Sequence, residues 1–362
     1  MLRRGTIRAC RLLSLSICTV LLFALLATKL RLPSLIEIHN ESALKPSPAK
    51  PSRQAIQPER WPASDYSRAL VVAKLKAEDT SWVDRIARND PSIATAVYVV
   101  DDPMADPFII KNKGNEMMPY LTYIIDNYEN LRNVTLFMHA HNATWHNDAV
   151  LDGSSEMMVN RLNPGHVVHE GYVNLRCSHH PGCPDHIHPN AKNEDEATLV
   201  NIPQAAIFKQ AWRELFHGEP VPDVVSQPCC SQFAVSSERI RSIPLPKYVF
   251  WRDWVLRTSF SDGLTGRVWE YLWQYVFTGK PVLCPDEFTC VCKVYGVCFP
   301  SKKLYQSFAV MREEIHNLTS EIYELKTGSK SASLQERIFQ KEERVSRLER
   351  DSEEIRAHAL GG

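Results

Sequence analysis

Three short runs rich in β-branched residues alternate with two helical segments in the first half of the chain. The runs begin at Ala69, Thr95 and Thr135, and the segments between them cover residues 81–88 and 116–131. Strand, helix, strand, helix, strand is typical of a mainly parallel sheet with helices on both faces, because parallel strands need crossover connections. The sequence therefore predicts an α/β, Rossmann-like domain over residues 67–300.

The composition argues against a nucleic-acid binder. The 362 residues contain 42 Lys and Arg against 42 Asp and Glu, and 44% are hydrophobic. A balanced charge lacks the basic surface that binds phosphate backbones. The hydrophobic content is that of an ordinary globular protein with a large core.

The N-terminal region predicts a membrane anchor. Residues 1–11 are rich in arginine, residues 12–28 are uncharged and mostly apolar, and residues 29–66 carry many prolines. The order favours a short cytoplasmic tail, an uncleaved signal-anchor helix and an extended stem, with a cleaved signal peptide as the alternative. We expect a single-pass type II protein of the Golgi or endoplasmic reticulum membrane with a lumenal C-terminus.

Cysteines and glycosylation motifs also favour a lumenal chain. The eight cysteines beyond the apolar run are an even number, which predicts disulfides; a zinc site with the nearby histidines, residues 179–188, is the alternative. Four Asn-x-Ser/Thr motifs are candidate glycosylation sites. The cysteines are Cys177, Cys183, Cys229, Cys230, Cys284, Cys290, Cys292 and Cys298, and the asparagines are Asn40, Asn133, Asn142 and Asn317.

Acidic pairs follow the first two predicted strands. Glu78 and Asp79 follow the first strand, and Asp101 and Asp102 follow the second. Carboxylates at strand ends can bind Mn²⁺ or Mg²⁺, which neutralises the diphosphate of a nucleotide sugar. The sequence Asp-Asp-Pro is also a common turn that ends a strand, and this alternative remains open.

Histidines follow the third strand. The period-two alternation puts Phe137, His139 and His141 on one face, with His146 a short loop away. Such histidines can act as a general base or bind a transition metal, or they can be ordinary structural residues. A glycan at Asn142 would obstruct a pocket here.

The second half of the chain contains further candidate residues. Residues 229–236 predict a buried strand, and residues 267–277 predict a helix. Trp269 and Trp273 of this helix are expected to pack into the core. The alternative is that they form a carbohydrate-stacking face together with Trp251 and Trp254. Glu270 lies between the two helical tryptophans, and it is a candidate catalytic base together with Asp286.

The C-terminal segment, residues 301–362, has an apolar heptad pattern. The spacing alternates between three and four residues up to about Leu325 and resumes after a turn-like break. This predicts either an antiparallel helical hairpin or a coiled coil through which the chain self-associates.

Several segments resemble a fungal family of secretory-pathway proteins known as domain of unknown function 3431. They are NKGNEMMPYLTYIIDNYENL, TLFMHAHNATWHND, GYVNLRC, QPCCSQFAVSSERIRSIP and GRVWEYLWQYVFTGK. Three segments are also similar to GT-A type glycosyltransferases. ALVVAKLKAEDTSWV looks like their first strand and following turn, and CCSQFAVSSERI with RVWEYLW looks like their acceptor-side strand and helix. Where those enzymes present Asp-x-Asp, this chain has His139-Ala140-His141 or Asp101-Asp102.

The leading expectation is a lumenal glycosyltransferase-like domain that uses a nucleotide-sugar donor and a glycan or small-molecule acceptor. The donor would be bound by Glu78, Asp79, Asp101 and Asp102. The metal ligands would be Asp101, Asp102, His139 and His141. The catalytic residues would be His146, Glu270 and Asp286. One alternative is a non-catalytic scaffold acting through its C-terminal helices. Another is a histidine-metal accessory enzyme of fungal secondary metabolism. Motifs for dinucleotides, P-loops, zincins and α/β-hydrolases are absent from the sequence.

Overall fold

The computed structural model describes residues 65–191, 196–327 and 332–361. The predicted tail, anchor helix and Asn40, and all but the last two residues of the predicted stem, lie outside these ranges. None of the helices within the described ranges is both long and apolar enough to cross a membrane.

The centre of the domain is one mixed five-stranded sheet with the strand order β2-β1-β3-β5-β4. β1 pairs in parallel with β2 and β3, whereas β5 is antiparallel to both β3 and β4. The prediction of an α/β domain built on a sheet is thus confirmed, but the sheet is mixed. β5, which lies in the strand predicted over residues 229–236, is reversed, and β4 is a strand that the sequence did not predict. The strands are β1 Arg68–Lys74, β2 Ile93–Val99, β3 Val134–His139, β4 Tyr172–Asn174 and β5 Phe233–Ser236.

Helices cover both faces of the sheet. Two of them form the predicted crossover connections. The second ends at Asp126 rather than near residue 131. The Asn127 side chain caps this end by donating to the Tyr123 carbonyl at 3.0 Å. The helices are α1 Ser81–Asn89, α2 Met117–Asp126, α3 Ser155–Arg161, α4 Pro164–Glu170, α5 Glu196–Asn201, α6 Ala205–Leu215, α7 Ser237–Arg241, α8 Leu245–Arg257, α9 Asp262–Glu270, α10 Trp273–Thr278, α11 Glu287–Tyr295, α12 Lys302–Thr327 and α13 Ala332–Leu360.

The period-two alternation of β3 divides the core into two layers. Phe137 packs on one face with Tyr120 and Phe233, whose ring centroids lie 4.8 and 4.9 Å from its own. Leu136 and Met138 pack on the other face. This alternation confirms the predicted faces of the strand, and it carries His139 to the edge where the strand ends.

The predicted helix over residues 267–277 is interrupted. α9 ends at Glu270 and α10 begins at Trp273, because two side-chain amides bind the carbonyls that the break exposes: Gln227 donates to the Glu270 carbonyl, and Gln274 donates to the Tyr271 carbonyl at 2.8 Å. Trp269 and Trp273 are fully buried, as expected for core residues.

All eight cysteines beyond the apolar run form disulfides. The pairs are Cys177–Cys290, Cys183–Cys284, Cys229–Cys230 and Cys292–Cys298. This confirms the disulfide prediction. The alternative of a cysteine-ligated zinc site is wrong for this structure, because every one of these sulfurs is covalently paired.

The C-terminal helices α12 and α13 form an antiparallel hairpin. Glu314 pairs with Arg344 at 2.8 Å, and Lys326 pairs with Glu342 at 2.8 Å. The later residue of α12 thus faces the earlier residue of α13, as expected for an antiparallel pair. The hairpin packs on the α/β domain through Phe308, whose ring centroid lies 5.4 Å from that of Phe299. Its apolar seam is therefore filled within the chain.

Candidate functional site

Polar residues gather where β3 ends, outside the carboxyl ends of the parallel strands. The backbone N–H of His139, the last residue of β3, donates to the Gln232 side-chain oxygen at 3.1 Å. The Gln232 amide donates in turn to the Asn147 side-chain oxygen at 2.8 Å. This buried bridge joins the end of β3, the loop that follows it and the segment before β5, and it fixes their relative positions.

Two histidine rings lie together at this edge. The centroids of His139 and His146 are 5.0 Å apart, with the rings nearly perpendicular. Burial lowers the pKa of each to about 4, so both rings are neutral at pH 7. His139 Nε2 and His146 Nδ1 are buried without a hydrogen-bond partner among the described residues.

Glu270 lies next to the Cys229–Cys230 disulfide. Its Oε1 accepts a hydrogen bond from the backbone N–H of Cys230 at 2.6 Å. Burial, and secondarily the negative charge of Glu116, raise the pKa of Glu270 to about 7. The carboxyl of Glu270 can therefore exchange a proton near neutral pH.

Glu116 supplies a second carboxyl that the sequence analysis did not single out. It precedes α2, next to Gly114 and Asn115, which have φ of +72° and +54°. α9 passes directly over this turn: a Cβ on Gly266 would lie 2.5 Å from Asn115 Nδ2, so any larger residue there would require the Asn115 side chain to move. Burial raises the pKa of Glu116 to about 7.

A family model for a protein of unknown function, DUF3431, matches residues 70–293. The match covers more than half of the chain and includes Glu116, His139, Cys230 and Glu270. The chain belongs to the DUF3431 family. No curated protein and no solved structure matches it.

At the rim of the DUF3431 site, the residues after β1 contact those after β3. His141 Nε2 lies 3.5 Å from Glu78 Oε1. Asp79 has a local structural contact instead: its carboxylate accepts hydrogen bonds from the Ser81 backbone N–H at 2.9 Å and from the Ser81 hydroxyl at 3.0 Å, where α1 begins. Glu78 is therefore the acidic residue after β1 that contacts a histidine of this edge.

Asp101 and Asp102 hold the turn after β2. Asp101 accepts from the Lys76 backbone N–H at 2.7 Å, and Asp102 pairs with the Lys76 ammonium group at 3.0 Å and accepts from the Met104 N–H at 3.0 Å. Among the described residues, no hydrogen bond or ion pair joins these two carboxylates to His139 or His141. Their contacts are those of the strand-ending turn.

Asp286 begins a helix on a different part of the DUF3431 domain. Its carboxylate accepts from the Thr289 backbone N–H at 3.1 Å and pairs with Lys302. The Lys302 hydrogen bond is the first cause of the lowered pKa of Asp286. It therefore caps α11 and connects it to the start of α12.

The described residues contain one group of three potential metal ligands within 4.8 Å of one another: Cys229, Cys230 and Glu270. Because the two sulfurs are bonded to each other, they are not thiolate ligands in this structure. His139 and His141 are not part of such a group.

The glycosylation motifs within the described ranges differ in exposure. Asn133 and Asn317 are exposed, whereas Asn142 is half-buried and its side-chain oxygen accepts from the Glu156 N–H at 3.0 Å. Asn142 thus helps to fix the loop after β3.

Proposed function

We propose that the DUF3431 domain is a glycosyltransferase-like enzyme that transfers a sugar from a nucleotide-sugar donor to an acceptor hydroxyl. The observation that carries the proposal is the convergence of Glu78, Glu116, His139, His146 and Glu270 at the carboxyl ends of the parallel strands. Open α/β sheets bind ligands at this edge. The resemblance of the β1 and β5 segments to GT-A enzymes supports the same assignment.

Glu270 is the proposed general base. Its carboxylate takes the proton from the acceptor hydroxyl, the oxygen bonds to the anomeric carbon, and the bond from that carbon to the diphosphate oxygen breaks, so that the nucleoside diphosphate leaves with the electron pair. A base with a pKa of about 7 is well suited to a reaction near neutral pH. The Cys230 N–H orients the carboxylate.

The described donor groups fit a hard cation poorly. Mn²⁺ and Mg²⁺ prefer several oxygen ligands, but Asp101 and Asp102 are bound to Lys76, and the rim offers the single carboxylate of Glu78 beside the imidazole of His141. The proposed reaction therefore contains no metal step, and histidine-metal chemistry is the less favoured alternative.

Thermal unfolding of the purified domain with a panel of nucleotide sugars tests donor binding. Each donor is measured with Mn²⁺, with Mg²⁺ and with a chelator, and release of nucleoside diphosphate is measured in parallel. We expect at least one donor to raise the melting temperature and to be hydrolysed slowly, also with the chelator. Neither stabilisation nor hydrolysis under any condition contradicts the proposal.

The disulfides support an oxidising compartment. Disulfides persist in the secretory pathway and are rare in the cytosol of most organisms. Together with the apolar run at residues 12–28, they favour a type II protein whose domain lies in the lumen of the Golgi or endoplasmic reticulum. Protease protection of the domain in intact microsomes is the expected result, and cleavage without detergent contradicts it.

A second candidate function is self-association through the hairpin. Val310, Tyr323 and Phe339 on α12 and α13 are 62%, 72% and 55% exposed. These are the side chains that a second copy of the hairpin would cover under this candidate. Under this candidate, sedimentation shows a dimer that Tyr323→Ser with Phe339→Ser converts to a monomer, while a wild-type monomer rejects it.

A further inference from the structure

Trp145 is the exposed tryptophan among those that the structure describes. Its relative exposure is 59%, whereas the other six described tryptophans are 6% exposed or less. Those six are Trp82, Trp212, Trp251, Trp254, Trp269 and Trp273. The carbohydrate-stacking face considered for the last four is therefore wrong, because their rings fill the core.

The loop that carries Trp145 is held in place by its neighbours. The Asn147 amide donates to the Gly153 carbonyl and to the Ser155 hydroxyl, both at 2.8 Å, and the Thr144 N–H donates to the Gly153 carbonyl at 3.2 Å. A loop with this many internal hydrogen bonds presents its exposed indole in one position. Such a side chain loses little conformational entropy when a ligand packs on it.

Arg176 fixes the indole from the protein side. This arginine is 8% exposed, and its guanidinium carbon lies 5.6 Å from the centroid of the Trp145 ring. It donates to the Trp145 carbonyl and, at 2.7 Å, to the His180 carbonyl. A cation over an aromatic ring is favourable, and here it also holds the backbone below the ring.

Three rings lead from the surface to the proposed catalytic residues. The Trp145 centroid lies 4.2 Å from that of His146, and the His146 centroid lies 5.0 Å from that of His139. The unpartnered His146 Nδ1 and His139 Nε2 lie along this path. An exposed ring at the surface is thus followed by two rings whose buried nitrogens are hydrogen-bonding groups.

We infer that Trp145 is the stacking platform for a pyranose ring of a glycan acceptor. The flat C–H face of a pyranose matches an exposed indole, and its hydroxyls match the imidazole nitrogens behind it. This inference rests on the proposed transferase function and names the acceptor as a carbohydrate. Trp145 is a binding residue that places the acceptor hydroxyl toward Glu270.

Saturation-transfer NMR tests the platform without requiring turnover. The probes are cellotetraose, N,N′,N″,N‴-tetraacetylchitotetraose and α-1,6-mannotetraose, with UDP as a separate arm. The proteins are wild type, Trp145→Ala, Trp145→Phe and, as an exposed aromatic control on the hairpin, Phe339→Ala. Circular dichroism and melting temperature confirm that each variant folds.

We expect at least one tetrasaccharide to bind, with an affinity about 10-fold weaker in Trp145→Ala, which corresponds to about 1.4 kcal/mol. Trp145→Phe retains much of the affinity, and Phe339→Ala matches wild type. Three results overturn the inference: none of the tetrasaccharides binds, Trp145→Ala binds them as well as wild type, or Trp145→Ala weakens UDP binding alone.

The same titration in Glu270→Gln separates this inference from the proposed function. Saccharide binding that depends on Trp145 and persists in Glu270→Gln supports the platform even if no donor is ever used, in which case the transferase proposal fails by itself. Donor turnover without saccharide binding gives the opposite result: the transferase proposal stands and the platform inference is overturned.

Discussion

Glu270 Oε1 accepts a 2.6 Å hydrogen bond from the backbone N–H of Cys230. Cys230 is disulfide-bonded to its neighbour Cys229, and its backbone also contacts the ring of His139. One short segment before β5 thus positions both the proposed base and a histidine at the end of β3. The carboxylate is held by the backbone rather than by an opposite charge, which leaves its pKa high enough for proton transfer near pH 7.

Glu116→Gln should shift the pH dependence of turnover to lower pH. The charge of Glu116 is the second cause, after burial, of the raised pKa of Glu270. Removing that charge lets Glu270 lose its proton more readily, so the acidic limb of kcat/KM against pH moves down from about 7. Glu313→Gln on the exposed face of α12 is the matched control and should leave the profile unchanged. An unshifted profile in Glu116→Gln would show that the two carboxyls are not coupled.

The two half-buried carboxyls of Glu116 and Glu270 should also make the domain less stable as the pH rises. Each has an ordinary pKa of 4.5 and a folded-state pKa of about 7, so the stabilisation is fully present below 4.5 and is lost as the pH rises through about 7. The slope approaches about 1.4 kcal/mol per pH unit for each carboxyl.

His139 and His146 act in the opposite direction. Their stabilisation is present above 6.5 and is lost as the pH falls through about 4. The test is therefore the difference in urea unfolding free energy between wild type and Glu116→Gln with Glu270→Gln. That difference should grow in favour of the variant from pH 4.5 to 7, and a flat difference would contradict the assigned pKa shifts.

Removing Cys177–Cys290 should destabilise the domain more than removing Cys292–Cys298. The first disulfide closes a loop of 113 residues and the second a loop of 6. Cys183–Cys284 already links the same two segments 6 residues inside each cysteine of the first disulfide, so loop-closure entropy gives about 3 kcal/mol for the first and about 2 kcal/mol for the second. Paired Cys→Ala variants and denaturant unfolding measure both losses. Equal losses would show that strain or local packing, rather than chain entropy, decides the effect.

The hairpin should be part of the folded domain rather than a free extension. Phe308 is 2% exposed and packs in the core layer with Phe299, whereas Phe339 is 55% exposed. Phe308→Ala should therefore cost about 3–5 kcal/mol of unfolding free energy. Phe339→Ala should change it by no more than about 0.5 kcal/mol. Similar values for the two variants would indicate that the hairpin unfolds independently.

The strand pattern of the first half predicted the part of the site that depends on local periodicity. Alternation along β3 is enough to place His139 at the carboxyl end of a parallel strand, and the apolar runs at Ala69 and Thr95 predicted its neighbours. The reversed direction of β5 was not predicted. Its four residues are buried on both sides, and the sequence of such a short strand does not indicate its direction.

The remaining features depend on contacts that are distant in sequence. Glu116 looks like an ordinary residue at a helix start, and its partial burial arises because α9 lies against the preceding turn at Gly266. The Gly114-Asn115 pair was the available signal, since both residues favour positive φ. The sequence around Asp101 and Asp102 is compatible with both a cation site and a turn, and the contacts that decide between them come from Lys76, 25 and 26 residues away.

The most direct test of the account is release of nucleoside diphosphate from a nucleotide-sugar donor by wild type, Glu270→Gln and Glu313→Gln. If Glu270 is the base at the end of the parallel strands, Glu270→Gln lowers kcat by about 10²- to 10⁴-fold while the donor still raises its melting temperature. Glu313→Gln behaves as wild type. Turnover by Glu270→Gln at the wild-type rate would contradict the assignment of this site as the place of sugar transfer.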